Sequence, residues 1–120
     1  MSFFNKLFGG LGMAGADDHE LSAAQYKERF VTTNTPHMIV DVRSPAEFAG
    51  GHLTGALNLP LQNLSQKLTK VPKNKPVMVY CRSGNRSGMA LKLLREAGYE
   101  EVYNIGGLNG LAAQGLPIDR

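Results

Sequence analysis

The sequence predicts an α/β fold in which a parallel sheet is covered by helices on both faces. Apolar runs rich in β-branched residues recur at Met38–Val42, Val77–Tyr80 and Val102–Ile105, and each has the length and composition of a buried strand. Segments of helical spacing, each opened by a capping or turn signal, lie between them. Strand and helix alternate along the chain, and parallel neighbours require such crossovers.

Composition narrows the class of protein. A chain of 120 residues suits one domain with a modest core, and 42% hydrophobic content is ordinary for a globular protein. No apolar run approaches the roughly 18 residues that a bilayer demands. The single cysteine forms no internal disulfide, so nothing calls for an oxidising compartment, and a cytoplasmic location is the expectation. The net charge of +3 comes from 13 basic and 10 acidic side chains. Lys67, Lys70, Lys73 and Lys75 cluster about Pro72 as a solvated turn, and no nucleic-acid reading element accompanies them. Nucleic acid is not an expected partner.

Residues 1–16 read as a flexible tail preceding a domain over 17–120. Phe3, Phe4, Leu7, Phe8 and Leu11 would share one helical face, so an amphipathic arm over residues 3–11 touching a membrane or partner is an alternative. Gly9, Gly10, Gly12 and Gly15 oppose a helix there, each costing about 1 kcal/mol. Ala14-Gly15-Ala16 has the form of a signal-cleavage site, which would make the protein exported. The run before it is short and diluted by glycine.

In the domain, Asp17–Leu21 reads as an edge strand. Ser22-Ala23-Ala24-Gln25 has the form of a capping box and opens a helix to about Val31. Met38–Val42 is the first buried strand. Ser44-Pro45-Ala46-Glu47 opens a second, short helix, with Pro at its first position, and Gly50-Gly51 ends it. Ala56–Leu59 is a brief strand stopped by Pro60, and Leu61, Leu64 and Leu68 recur at helical spacing. Val77–Tyr80 is the next strand. A helix over Ser87–Ala97 follows, ended by Gly98. Val102–Ile105 is the last strand, and a helix over Leu108–Gln114 stops at Gly115-Leu116-Pro117.

Chemistry concentrates in Cys81-Arg82-Ser83-Gly84-Asn85-Arg86-Ser87. This stretch joins a buried strand to a helix, and open parallel sheets bind ligands at the carboxyl ends of their strands. Helix-start amides lack intrahelical partners, so roughly five or six of them converge on one point if the loop curls into a nest. Gly84 and Asn85 tolerate the curl. Arg82, Arg86 and the helix dipole add positive charge, and Ser83 and Ser87 add hydroxyl donors. Such surroundings favour thiolate over thiol, so Cys81 reads as an activated nucleophile that needs no separate base. The bland alternative is an inert buried thiol closing a strand. His19 and His37 lack metal-ligand spacing, and no metal site is expected.

Four blocks of the sequence together resemble the single-domain rhodanese (sulfurtransferase) family. They are Asp41-Val42-Arg43 with Glu47-Phe48, Gly51–Ala56 and Asn58-Leu59-Pro60; the Cys81–Ser87 loop; Gly106-Gly107-Leu108; and Gly115–Ile118. Many members carry a Trp just after the double glycine, where this chain has Leu111. The resemblance implies a doubly wound, mostly parallel sheet of about five strands and a ping-pong reaction without cofactor. Cys81 would take sulfane sulfur from thiosulfate or a similar donor and hold it as a persulfide. A cyanide or thiol acceptor, such as a thioredoxin-like protein, would then remove it. Arg82 and Arg86 are the expected contacts for the donor's anionic end, with Ser83, Gly84, Asn85 and Ser87 completing the binding loop. Asp41, Arg43, Glu47 and His52 are expected to form a structural polar network. Nothing requires an oligomer, so a monomer is expected.

Two other functions compete. A cysteine phosphatase or arsenate reductase needs five residues between Cys and Arg, whereas four separate Cys81 from Arg86 and Ser87 stands where that Arg would be. The shorter loop suits a single sulfur atom better than a phosphate. A rhodanese-like regulatory or binding module is the non-enzyme alternative, although such modules often lose the cysteine that this chain keeps.

Overall fold

A computed structural model describes residues 19–120. The amphipathic arm and the export signal considered for the tail lie outside the described residues, as do Asp17 and Asp18 of the expected edge strand.

Both capping boxes form. Ser22 Oγ accepts from the Gln25 amide at 3.0 Å, and Gln25 Oε1 accepts from the Ser22 amide at 2.9 Å. They open α1 (Ala23–Tyr26), which widens into a π turn over Lys27–Val31. The strand β1 (Met38–Asp41) follows. Ser44 and Glu47 make the same reciprocal pair at the start of α2 (Pro45–Ala49), with Pro45 where its missing N–H costs nothing. Next come β2 (His52–Leu53), β3 (Leu57–Asn58), α3 (Leu61–Leu64) and β4 (Val77–Cys81). The chain ends with α4 (Asn85–Glu96), β5 (Val102–Gly107), α5 (Leu108–Ala113) and β6 (Ile118–Asp119).

The main sheet has the order β3–β1–β4–β5, with every pair parallel. Glu20 makes a single parallel bridge to Asn104, so the expected edge strand shrinks to one residue in the fifth position. Beside it the Leu21 amide donates to the Asn104 carbonyl at 3.0 Å, and the Asn104 amide donates to the His19 carbonyl at 2.8 Å. The order leaves the centre in both directions, which gives the doubly wound, mostly parallel fold its two helical layers.

Alternation along β4 divides the core. Val77 and Val79 pack with Ala90 and Leu94 of α4 on one face, while Met78 and Tyr80 pack with Phe30, Ile105 and Leu111 on the other. All five residues of β4 are buried, as a strand covered on both sides must be. Leu111 is fully enclosed at 0% exposure, so the departure from Trp leaves a packed apolar side chain there.

Two elements differ from the sequence reading. The helical spacing of Leu61, Leu64 and Leu68 is realised as α3 and then a separate 3₁₀ turn over Leu68–Lys70. Gln66 and Lys67 donate three residues back rather than four, which tightens the backbone while Leu64 and Leu68 still face the core. The antiparallel pair β2–β6 was not anticipated. Each strand has two residues, too few to display a period-2 pattern.

Glu47 also ties α2 to the loop after β4. Its carboxylate accepts from Arg86 Nη1 at 2.7 Å and Nη2 at 3.0 Å, a bidentate pairing. This pairing first, and the Ser44 amide second, pull the Glu47 carboxyl from an ordinary 4.5 to about 2. A depressed carboxyl stabilises the fold above its unfolded value and loses that contribution as pH falls through its folded value. The pair is part-exposed, so its worth is modest. Glu47→Gln is expected to lower the thermal midpoint by a few degrees at pH 7. In thermal melts from pH 7 to pH 2 the gap to wild type should begin to narrow below pH 4.5 and close at about pH 2.

Candidate functional site

The sheet delivers Cys81 to the carboxyl end of β4 with no exposed surface, and the backbone turns out of the sheet directly afterwards. Gly84 takes φ +100° and serves as the N-cap of α4, a conformation that strains any residue with a Cβ. This turn aims the Gly84 amide at Cys81 Sγ, 3.0 Å away. The amides of Ser83 and Ser87 also face the sulfur. Burial by itself pushes the thiol up. The Ser87 side chain and the amides of Ser87, Gly84 and Ser83 outweigh it and leave the thiol below its ordinary value. Three amides thus face the sulfur, those of Ser83, Gly84 and Ser87, fewer than the five or six expected from the loop's composition.

The opposing strand completes the enclosure. Val79 faces Asn104, yet Cys81 faces Gly107, so β5 carries one extra residue before its end. Gly106 occupies that bulge with φ +93°. The bulge brings Gly107 so close to the Arg82 carbonyl that a Cβ there would overlap it. Asn104 is buried on the same strand. Its Nδ2 donates to the Gly84 carbonyl at 3.2 Å, and its Oδ1 accepts from the Gly106 amide at 3.0 Å. Ser87, also buried, places Oγ 2.7 Å from Asn104 Oδ1 and 3.3 Å from Cys81 Sγ.

Sequence reasoning assigned Asn104 no role. The available signal was a carboxamide inside an apolar strand, because a buried polar side chain requires partners.

Arg82 is exposed and Arg86 half-buried. Arg86 is clamped by Glu47, and its charge also feels Cys81. Arg82 lines an open cleft of about 290 Å³ together with Arg43, Glu47, Leu108, Asn109 and Arg120. Ser83 and Asn85 are exposed on the loop, and Asn85 is the first residue of α4.

The four polar residues away from the loop fall into three groups rather than one network: Asp41 with Arg43, Glu47 with Arg86, and His52 against Phe48. Asp41 is fully buried beneath Arg43, whose Nη2 and Nε donate to it at 2.7 and 2.9 Å. Arg43 Nη2 also donates to the Gly51 carbonyl at 2.7 Å. Asn58 bridges the carbonyls of Asp41 and Arg43, fixing this turn to β3. His52 stacks on Phe48 at 3.7 Å and hydrogen-bonds its carbonyl through Nδ1 at 2.9 Å. His19 and His37 bind backbone carbonyls, and His37 also meets the Tyr26 hydroxyl.

Comparison with known proteins places this geometry. Residues 22–114 match the family model described as the rhodanese-like domain. A sulfurtransferase of Allochromatium vinosum is 38% identical over 101 residues, covering 83% of this chain and 94% of that protein. The thiosulfate sulfurtransferase PspE of Escherichia coli is 44% identical over 75 residues, covering 61% of this chain and 72% of that protein. The solution structure of a rhodanese-like domain from an Anabaena protein superposes with a TM-score of 0.76 at 29% identity, covering 85% of this chain and 79% of that one. With the family model matched over residues 22–114 and a relative 38% identical across 83% of this chain and 94% of its own length, the chain belongs to the rhodanese-like domain family.

Proposed function

We propose that the protein is a rhodanese-type sulfurtransferase that carries sulfane sulfur on Cys81. The observation that carries this reading is the ring of donors from Ser83, Gly84 and Ser87 about Sγ, which holds the thiol below its ordinary value despite burial. The relatives named as sulfurtransferases support it.

In the first half-reaction the Cys81 thiolate attacks the outer sulfur of thiosulfate or a similar donor. The Sγ–S bond forms, the donor's S–S bond breaks, and its electron pair leaves on sulfite. This is covalent catalysis by an activated nucleophile. The fixed amides face the negative charge as it moves onto the transferred sulfur, and they need no reorganisation to do so. In the second half-reaction cyanide or a thiol takes that sulfur and regenerates the thiolate.

Arg82 and Arg86 divide the electrostatic work. Arg86 is held by Glu47 and contributes a fixed charge beside the loop. Arg82 is exposed at the cleft, which supports its assignment as the contact for the sulfonate end of the donor. The Asp41–Arg43 pair and His52 serve as scaffold for the turn that carries α2.

Incubation with thiosulfate is expected to add the mass of one sulfur atom to the intact protein, and cyanide or dithiothreitol should remove it. Cys81→Ser should show neither the adduct nor thiocyanate formation. A wild-type protein that stays unmodified would favour a binding module, and turnover of p-nitrophenyl phosphate would favour a phosphatase. Arg82→Gln is expected to raise KM for thiosulfate several-fold with a smaller change in kcat. Steady-state assays at increasing salt should narrow that difference, because exposed charges are screened.

A further inference from the structure

The Ser87 hydroxyl stands within hydrogen-bond distance of two acceptors, Asn104 Oδ1 at 2.7 Å and Cys81 Sγ at 3.3 Å. A hydroxyl has one proton to donate, so Ser87 cannot donate fully to both acceptors at once. We propose that this proton moves between the two acceptors as charge comes and goes on Sγ. Asn104 is then a positioning residue that competes with the sulfur for Ser87. The inference rests on the sulfur-transfer reading for its place in the cycle, and on these distances for its geometry.

The Asn104 carboxamide is locked by neighbours of opposite kind. A carbonyl, that of Gly84, faces Nδ2, and an amide, that of Gly106, faces Oδ1. The carboxamide cannot flip without losing both bonds, so Oδ1 stays an acceptor beside Ser87. When Sγ carries the charge, as in the free thiolate, the hydroxyl turns to the sulfur, because hydrogen bonds to ions are the stronger ones. When the enzyme holds a persulfide, the charge lies on the outer sulfur and the hydroxyl returns to Oδ1.

The turn matters most in the second half-reaction. As cyanide attacks, its carbon bonds to the outer sulfur, the Sγ–S bond breaks, and the electron pair stays on Sγ as thiocyanate leaves. Ser87 then meets a charge developing on the departing thiolate, and Asn104 sets how readily the proton is released to meet it. Ser87 and Asn104 are neutral at every step.

Other charged groups surround the loop, and of these Arg86 interacts with the sulfur. Asp41 and Arg43 lie at the end of β1, Glu47 on α2, and Arg82 and Arg86 in the loop itself. Residues 104–109 and α3 contribute no ionisable side chain. The substitutions at Ser87 and Asn104 leave all of these charges in place.

The test is the pH dependence of iodoacetamide alkylation of Cys81 in wild type, Ser87→Ala, Asn104→Ala and the double variant. Ser87→Ala should move the midpoint up. Asn104→Ala should move it down, making the thiolate roughly threefold to tenfold more favoured, the worth of one hydrogen bond. That shift should vanish in the Ser87→Ala background. A purely structural Asn104 would loosen the loop instead. The midpoint would then rise or stay unchanged, or shift equally in both backgrounds, and each of these results overturns the proposal.

If Asn104→Ala does not fold, the wild-type protein gives the answer through ¹⁵N resonances of the Asn104 carboxamide. They should titrate with the alkylation midpoint, and the titration should be reduced in Ser87→Ala. A resonance flat through the midpoint, or one unaffected by Ser87→Ala, overturns the proposal. Failure of the sulfur-transfer reading would appear separately, as no sulfur adduct after thiosulfate while the alkylation pattern holds.

Discussion

A fully enclosed sulfur whose thiol lies below its ordinary value sets the terms for this fold. Burial disfavours a thiolate, and donors fixed in advance reverse that preference here. Here the donors are the Ser87 hydroxyl and backbone amides of the turn into α4, that of Gly84 aimed by its positive φ. The strand places the sulfur, the helix places the amides, and seven consecutive residues hold both. Other parts of the site keep those residues at their spacing.

The support comes from three directions. From β5, the bulge at Gly106 and the absence of a side chain at Gly107 let two backbones meet behind Arg82. Asn104 fastens the Gly84 carbonyl from the same side. From α2, Glu47 clamps Arg86, so a charge on a flexible stem acquires a fixed position. Under α2, the buried Asp41–Arg43 pair ties the end of β1 to Gly51. Breaking one partner of such a pair leaves a buried charge, which costs about 3–5 kcal/mol. The turn bearing Glu47 is thereby anchored to the centre of the sheet.

Much of this was legible in the sequence where local chemistry decides structure. The boxes at Ser22 and Ser44, the buried runs of β1, β4 and β5, and the loop after Val79-Tyr80 all follow from residue type and short spacing. The illegible parts depend on contacts between distant segments. His52-Leu53 and Ile118-Asp119 become strands only because they meet, His52 opposite Asp119 and Leu53 opposite Ile118. The break between Leu64 and Leu68 leaves the apolar spacing intact, so periodicity does not reveal it. Asn104 looked like an ordinary strand residue until its partners from α4 and the loop were in view. The pairing of Arg86 with Glu47 spans 39 residues, and neither residue's own neighbourhood announces it.

The extra residue in β5 has a consequence for comparing relatives. A protein identical over the seven loop residues but one residue shorter before the double glycine would restore the regular ladder with β4. Its equivalent of Gly107 would withdraw from the Arg82 carbonyl, and the amide that steadies the Asn104 side chain would be lost. An alignment gap at this strand would therefore mark a member whose sulfur is less enclosed, even with the loop itself unchanged.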